Sequence, residues 1–129
     1  MITEAQFREN LQRILDALNT KDWGVFDKVV DELFVTDYVW HLSGIQDPVR
    51  GPEGFKQTLR SAVESWPDYR ATIEDILVMG DKAAARLMEH RTDPETGKAQ
   101  HCTSIMIDHL KGGKFADDWQ VVSPWEDDV

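Results

Sequence analysis

The spacing of the apolar residues changes at Tyr69, and that change limits the fold more than any other feature of the chain. Before it, Phe7, Leu11, Ile14, Leu15 and Leu18 recur at helical intervals. So do Trp23, Phe26, Val30, Leu33 and Phe34, and again Phe55, Leu59, Val63 and Trp66. After it the period is roughly two, with Ala71 and Ile73 on one phase and Ile76 and Val78 on the other. An amphipathic helix must bury its stripe, and a half-buried strand sends alternate residues to one face, so each half supplies the surface the other needs. Helices followed by strands joined by turns predict an α+β fold with an antiparallel sheet. The 129 residues are read as one domain with an acidic tail at 124–129.

Local chemistry sets the expected boundaries. Thr3 with Gln6 three positions on is a capping box, which starts a first helix at about Glu4 and carries it to Leu18. The polar break Asn19-Thr20-Lys21 separates it from the second stripe. Tyr38 to Leu42 is β-prone and predicts a short strand, and Ser43 to Pro48 has loop composition. Gly51-Pro52 opens a third helix, with proline at the first helical position, and Pro67 stops it at Trp66. The phase slip near Glu74-Asp75 predicts a β-bulge. Gly80-Asp81 turns the chain into a strand over 82–91, and Thr92 to Gly97 forms the next turn. Gln100 to Ser123 then folds on itself around Lys111-Gly112-Gly113-Lys114. Helices laid on one face of a curved sheet leave a cavity where the two diverge.

Charge and composition remove whole classes of function. A formal charge of -10 opposes nucleic acid and anionic membrane surfaces, because phosphate binding needs a basic footprint. No run of 18 apolar residues exists, so no transmembrane helix is expected, and the N-terminus has no signal-peptide core. The lone Cys102 fits a reducing cytoplasm, where the protein is expected.

The last hairpin concentrates Cys102, Thr103, Ser104, Asp108, His109, Asp117, Asp118 and Gln120 among apolar residues, so alternation must turn some of them inward. Asp118 shares a strand face with Ala116, Gln120 and Val122 and is the first candidate for a pocket acid, whose pKa burial would raise. The alternative makes it a solvated surface charge. Arg86 stands between Ala84 and Met88 on a face of small and apolar residues, where a buried guanidinium would pair with a carboxylate such as Asp118. A surface arginine on an outer sheet face is the competing reading. His41 ends a Tyr-Val-Trp run and is either a base or donor toward a ligand carbonyl, or a satisfied core histidine. Trp40, Trp66 and Trp119 serve the core or an interface, with aromatic lining of an apolar pocket as the other role. His90, His101 and His109 lack the spacing and cysteine company of a zinc site, so no metal is expected. Cys102 and its neighbour His101 point to opposite strand faces, which favours a buried, inert thiol.

Five segments in order carry a family resemblance: Asp37-Tyr38-Val39-Trp40-His41, Gly51-Pro52-Glu53-Gly54-Phe55, Trp66-Pro67-Asp68, Ala83-Ala84-Ala85-Arg86 and Gly113-Lys114-Phe115-Ala116-Asp117-Asp118-Trp119. With their spacing the chain resembles the SnoaL-like, polyketide-cyclase-like proteins of the nuclear transport factor 2-like superfamily. The resemblance implies a cone-shaped α+β barrel of the cystatin-like kind, a curved, mainly antiparallel sheet wrapped around three helices, with a pocket in the cone. It also implies a homodimer joined through the outer sheet face and a cofactor-independent intramolecular aldol condensation run by an aspartate. Aligned on Gly113-Lys114-Phe115, that aspartate falls at Gln120 and an assisting histidine falls at Met106. A glutamine amide takes no proton near neutral pH, so the usual cyclase mechanism is not preserved, and Asp118 is the residue left to replace it. A second branch, resembling limonene epoxide hydrolases, needs an aspartate two residues after an arginine, where this chain has Met88 after Arg86.

The alignment and the alternation together turn Ser104, Met106, Asp118 and Gln120 toward the pocket and Thr103, Ile105, Asp117 and Trp119 outward. The expected protein binds a small, mainly apolar, carbonyl-bearing molecule, with Asp118 as acid or base and His41 and Gln120 orienting the carbonyl. Arg86 sets the charge there, and Trp40, Met88, Met106 and Ser104 complete the ligand site. The competing expectation is a non-catalytic binding or dimerisation module, favoured by the missing acid at position 120.

Overall fold

The computed structural model describes all residues from Met1 to Val129. Three helices, α1 (Glu4–Thr20), α2 (Trp23–Leu33) and α3 (Gly51–Glu64), lie against one sheet. Its strands are β1 (Phe34–Leu42), β2 (Val49–Arg50), β3 (Arg70–Met79), β4 (Lys82–Thr92), β5 (Ala99–Lys111), β6 (Lys114–Val122) and β7 (Glu126–Asp127). The order across the sheet is β2-β1-β6-β5-β4-β3, with β7 also paired to β5. This is an α+β fold, three helices against a curved mixed sheet, as expected.

The expected capping box is present. Thr3 accepts from the Gln6 amide at 3.1 Å, and the Gln6 side chain accepts from the Thr3 amide at 2.9 Å. At the other end of α1, Asn19 bonds both the amide (2.8 Å) and the carbonyl (2.9 Å) of Ala71, so a side-chain amide docks the helix onto β3 as a strand partner would. Proline near the start of α3 also falls where expected, but the helix ends at Glu64, ahead of Trp66.

The first strand departs further from expectation. Phe34 belongs to β1, which follows α2 without a loop and starts four residues before Tyr38. The cause is tertiary. β1 pairs parallel with β6, beginning at Phe34↔Phe115, and this is the one parallel pairing in an otherwise antiparallel sheet. The Phe34 ring lies 5.1 Å from Phe115, 4.7 Å from Phe55 and 4.5 Å from Tyr38, a contact set that a helical Phe34 would not make. Val49–Arg50, between the Ser43–Pro48 loop and α3, adds a two-residue strand on Val39 and Trp40.

Two irregularities set which residues face inward. The bulge expected in β3 lies at Glu74, where pairing jumps from Ile73↔Leu87 to Asp75↔Arg86. A second one in β6 leaves Ala116 unpaired, between Leu110↔Phe115 and His109↔Asp117. That extra residue lets Phe115 and Asp118, three apart, both point into the protein. The acidic C-terminal segment is tied down rather than free. β7 pairs with Gln100 and His101, and His101 Nδ1 lies 2.6 Å from Asp128. No helix is long and apolar enough to cross a membrane.

Candidate active site

Between α1 and α3 on one side and the inner face of the sheet on the other lies a cavity of about 290 Å³. Seventeen of its 22 lining residues are hydrophobic, which makes each of the remaining five, Ser43, Thr58, Glu89, Asp118 and Gln120, a polar group set in apolar surroundings. A larger cleft of about 680 Å³ runs between the N-terminus and the turns at Gly80-Asp81 and Gly112-Gly113, but it is open and its ionisable side chains are all exposed.

Asp118 is buried in the cavity wall. Its Oδ2 accepts from the Tyr38 hydroxyl at 3.3 Å, and its Oδ1 has no partner in the protein. Burial pushes its pKa up to about 7, while the Tyr38 hydrogen bond acts against the rise by favouring the anion. Asp108 stands opposite it in the β5–β6 register, fully buried, with neither oxygen hydrogen-bonded. Burial first, and then the charge of Asp118, hold Asp108 well above the ordinary carboxylate range. Asp118 alone has a donor, Tyr38, that favours its anion, and the charge of Asp118 opposes ionisation of Asp108.

Gln120 is locked by its neighbours. Its Oε1 accepts from the Trp40 indole at 3.0 Å and its Nε2 donates to Ser104 Oγ at 2.5 Å, leaving one amide hydrogen unused. Met106 lines the same wall, and Ser104 stands fully buried behind it. Along the far part of the wall, Glu89 accepts from the Tyr69 hydroxyl and, at 3.6 Å, from the Cys102 thiol. Burial raises the pKa of Glu89, with both hydrogen bonds opposing the rise. Trp125 and Trp66 meet edge to face at 5.5 Å in the cavity wall, and the Arg91 guanidinium lies over both rings at 4.4 and 5.0 Å.

Thus Asp118, Gln120, Trp40, Met106 and Ser104 are brought together at or just behind the wall, and the other three sequence candidates are not. Arg86 faces the outside of the sheet and bonds Asp75 through Nε at 2.8 Å and Nη2 at 2.6 Å, so it has no contact with Asp118. Met88 shares that outer face. The buried residues of β4 are Ala83, Ala85 and Leu87, so the inward phase is odd-numbered and carries Glu89 in place of Arg86 and Met88. His41 also points outward, stacked on Trp119 at 4.6 Å and 10°, with Nε2 4.0 Å from Asp117. It alternates with Trp40, whose ring turns inward. Asp108, Glu89, Tyr38 and Tyr69 are the residues the sequence reading missed. Asp108 was within reach, being in phase on β5 with Ser104 and Met106. Glu89 needed the correct phase of β4, which Ala84, Ala85 and Arg86 leave ambiguous.

Cys102 is buried and its thiol is pushed up to about 12, first by burial and then by Glu89, so it is a poor nucleophile. No three His, Cys, Asp or Glu side chains converge as a metal-binding group.

Residues 11–118 match the SnoaL-like domain family. No curated protein matches the chain by sequence. Among solved structures, IdmH from Streptomyces antibioticus, a candidate polyketide cyclase, superposes with a TM-score of 0.77 over 92% of each chain at 24% identity. A candidate ketosteroid isomerase from Kribbella flavida gives a TM-score of 0.71 at 16% identity, over 98% of this chain and 84% of that one. An NTF2-like protein of unknown function from Exiguobacterium gives 0.72 at 20% identity, over 88% of this chain and 98% of that one. At these identities the likeness is one of fold.

Proposed function

Because the chain belongs to the SnoaL-like domain family, we propose that it binds a small, mainly apolar, carbonyl-bearing molecule and moves a proton on it without a cofactor, as a cyclase or isomerase does. The observation that carries this reading is Asp118, a buried carboxyl on an apolar cavity whose pKa near 7 suits it to take up and release a proton near neutrality. As the carboxylate it removes a proton from a carbon next to the carbonyl. The charge that grows on the carbonyl oxygen meets the unused amide hydrogen of Gln120, which Trp40 and Ser104 hold in one orientation. Protonated Asp118 then returns the proton, to the same carbon or to another. Asp108, behind Asp118 and not on the cavity, acts through it as a positioning residue.

The experiment is exchange of the α-hydrogens of 1-tetralone in D2O, followed by proton NMR with the wild-type protein and with Asp118→Asn. Wild-type exchange above the buffer rate that disappears in the variant supports the reading, and equal rates in both refute it. A second reading, a binding module without chemistry, is favoured by Gln120, which stands where the cyclase resemblance expects an aspartate and cannot take a proton. Binding of 1-tetralone with no exchange at all would select it.

We further propose a homodimer through the outer sheet face. Ile105, Ile107, Trp119 and Val121 are 52%, 49%, 41% and 64% exposed, and they form adjoining cross-strand pairs on β5 and β6.

A further inference from the structure

The cavity has a second polar station that the proton-transfer reading leaves unused. Glu89 and Asp118 both line it, and no lysine, arginine or histidine does. Arg91, which does not line the cavity, lies over the rings of Trp66 and Trp125 and donates to Gln100 Oε1 at 3.0 Å. Glu89 pairs with Cys102 and Asp118 with Asp108, positions 102 and 108 of the same strand, so the two backbones are separated by about 20 Å of β5 at ~3.3 Å per residue. They therefore mark two ends of the cavity rather than one cluster.

The hydrogen bonds at Glu89 show what it is set up to receive. Tyr69 and Cys102 both keep their protons, Tyr69 because burial and then Glu89 raise its pKa well above the ordinary value, Cys102 because its own is pushed up to about 12. Each donates to a different oxygen of Glu89. A carboxylate has about four acceptor sites, so these two donors leave acceptor capacity on a group that lines the cavity. An acceptor held in that way in an apolar wall takes a hydrogen-bond donor and repels an anion.

We infer that the Glu89–Tyr69 end is a second recognition site, which selects a non-anionic ligand carrying a hydroxyl or ammonium donor at the end opposite the carbonyl that faces Asp118. This rests on the proposed function only for the carbonyl end. The class excludes carboxylates, phosphates and other acidic ligands, because every charged side chain on the cavity is a carboxyl. It favours a rigid apolar body with a polar group at each extremity, since the surface between the two stations is almost entirely hydrophobic.

Three probes with the same acetonaphthone body separate the outcomes by isothermal titration calorimetry: 6-hydroxy-2-acetonaphthone, its 6-methoxy ether and its 6-carboxylate. With the wild-type protein the hydroxy probe is expected to bind about tenfold or more tighter than the ether, the usual value of a hydrogen bond to a charged group, and the carboxylate should bind more weakly than either. Glu89→Gln, nearly isosteric and checked by its melting temperature, should bring the hydroxy and methoxy probes to within about threefold of each other and partly rescue the carboxylate. The proposal is overturned if the wild-type protein binds the carboxylate as tightly as the hydroxy probe, if hydroxy and methoxy bind alike, or if no probe binds. The wild-type comparison needs no variant, so it stands even if Glu89→Gln fails to fold. Failure of the proton-transfer reading looks different: Asp118→Asn would leave exchange of 1-tetralone unchanged while the hydroxy-to-methoxy preference persists.

Discussion

Asp108 and Asp118 face each other across the β5–β6 register with both side chains turned inward, 0% and 5% exposed, and only Asp118 holds a hydrogen bond. The charge of Asp118 opposes ionisation of Asp108, which burial already disfavours. Asp108 is thus a second carboxyl standing behind the one that meets the cavity.

The titration of the pair is the most direct consequence. Carboxyl carbon NMR of the wild-type protein should show Asp118 ionising near pH 7 and Asp108 titrating well above the ordinary carboxylate range. Asp118→Asn removes the charge that Asp108 feels, so Asp108 should titrate lower than in the wild type, yet stay above the ordinary carboxylate range because it remains buried. An unchanged Asp108 titration would show that the two groups do not interact.

Stability should carry the same signature. An aspartate in the unfolded chain ionises near pH 4, whereas Asp118 in the fold does so at about 7. Between these values the folded protein keeps a proton that the unfolded chain has released, so this group's contribution makes stability fall as pH rises through the window and level off above it. Relative to wild type, Asp118→Asn should therefore gain stability between pH 4 and pH 8, by up to roughly 4 kcal/mol at ~1.4 kcal/mol per tenfold change in proton affinity. Urea unfolding at the two pH values measures this, and a pH-independent difference would contradict the assignment.

His41→Ala and Arg86→Ala test the outward placement of those side chains. His41 is stacked on Trp119, and Arg86 is paired with Asp75 at 41% and 68% side-chain exposure. Each substitution should change exchange of 1-tetralone by no more than about twofold, the scale of a surface effect. A loss comparable to that of Asp118→Asn would return either residue to the site.

Self-association is predicted to depend on the outer face. Ile107→Glu puts a charge opposite Trp119 in the centre of the exposed apolar patch. Light scattering on a size-exclusion column should find a dimer for the wild type and a monomer for the variant, with the melting temperature nearly unchanged if Ile107 is free in the monomer. A wild-type monomer would refute the proposal.

Much of the fold was legible because its signals are local. The Thr3–Gln6 capping box, the bulge at Glu74 and the glycine turn at Gly112-Gly113 depend on residues a few positions apart, and each falls where the sequence places it. Alternation also turned Ser104 and Met106 inward together. It misjudged β4, because a strand of small alternating residues reads equally well in either phase and the choice is made by which face meets the helices.

The order of elements, their approximate ends and the α+β class follow from residue spacing, since periodicity and turn chemistry act over one or two turns of chain. The full lining of the cavity does not. Asp118 faces it beside Phe115 because Ala116 bulges out of the β5–β6 ladder, Phe34 leaves its helical stripe because β6 offers a parallel partner, and Glu89 reaches it through the phase of β4. Each of these depends on contacts between residues far apart in the chain. A carboxyl near pKa 7 likewise has no local signal: burial creates it, and burial belongs to the assembled protein.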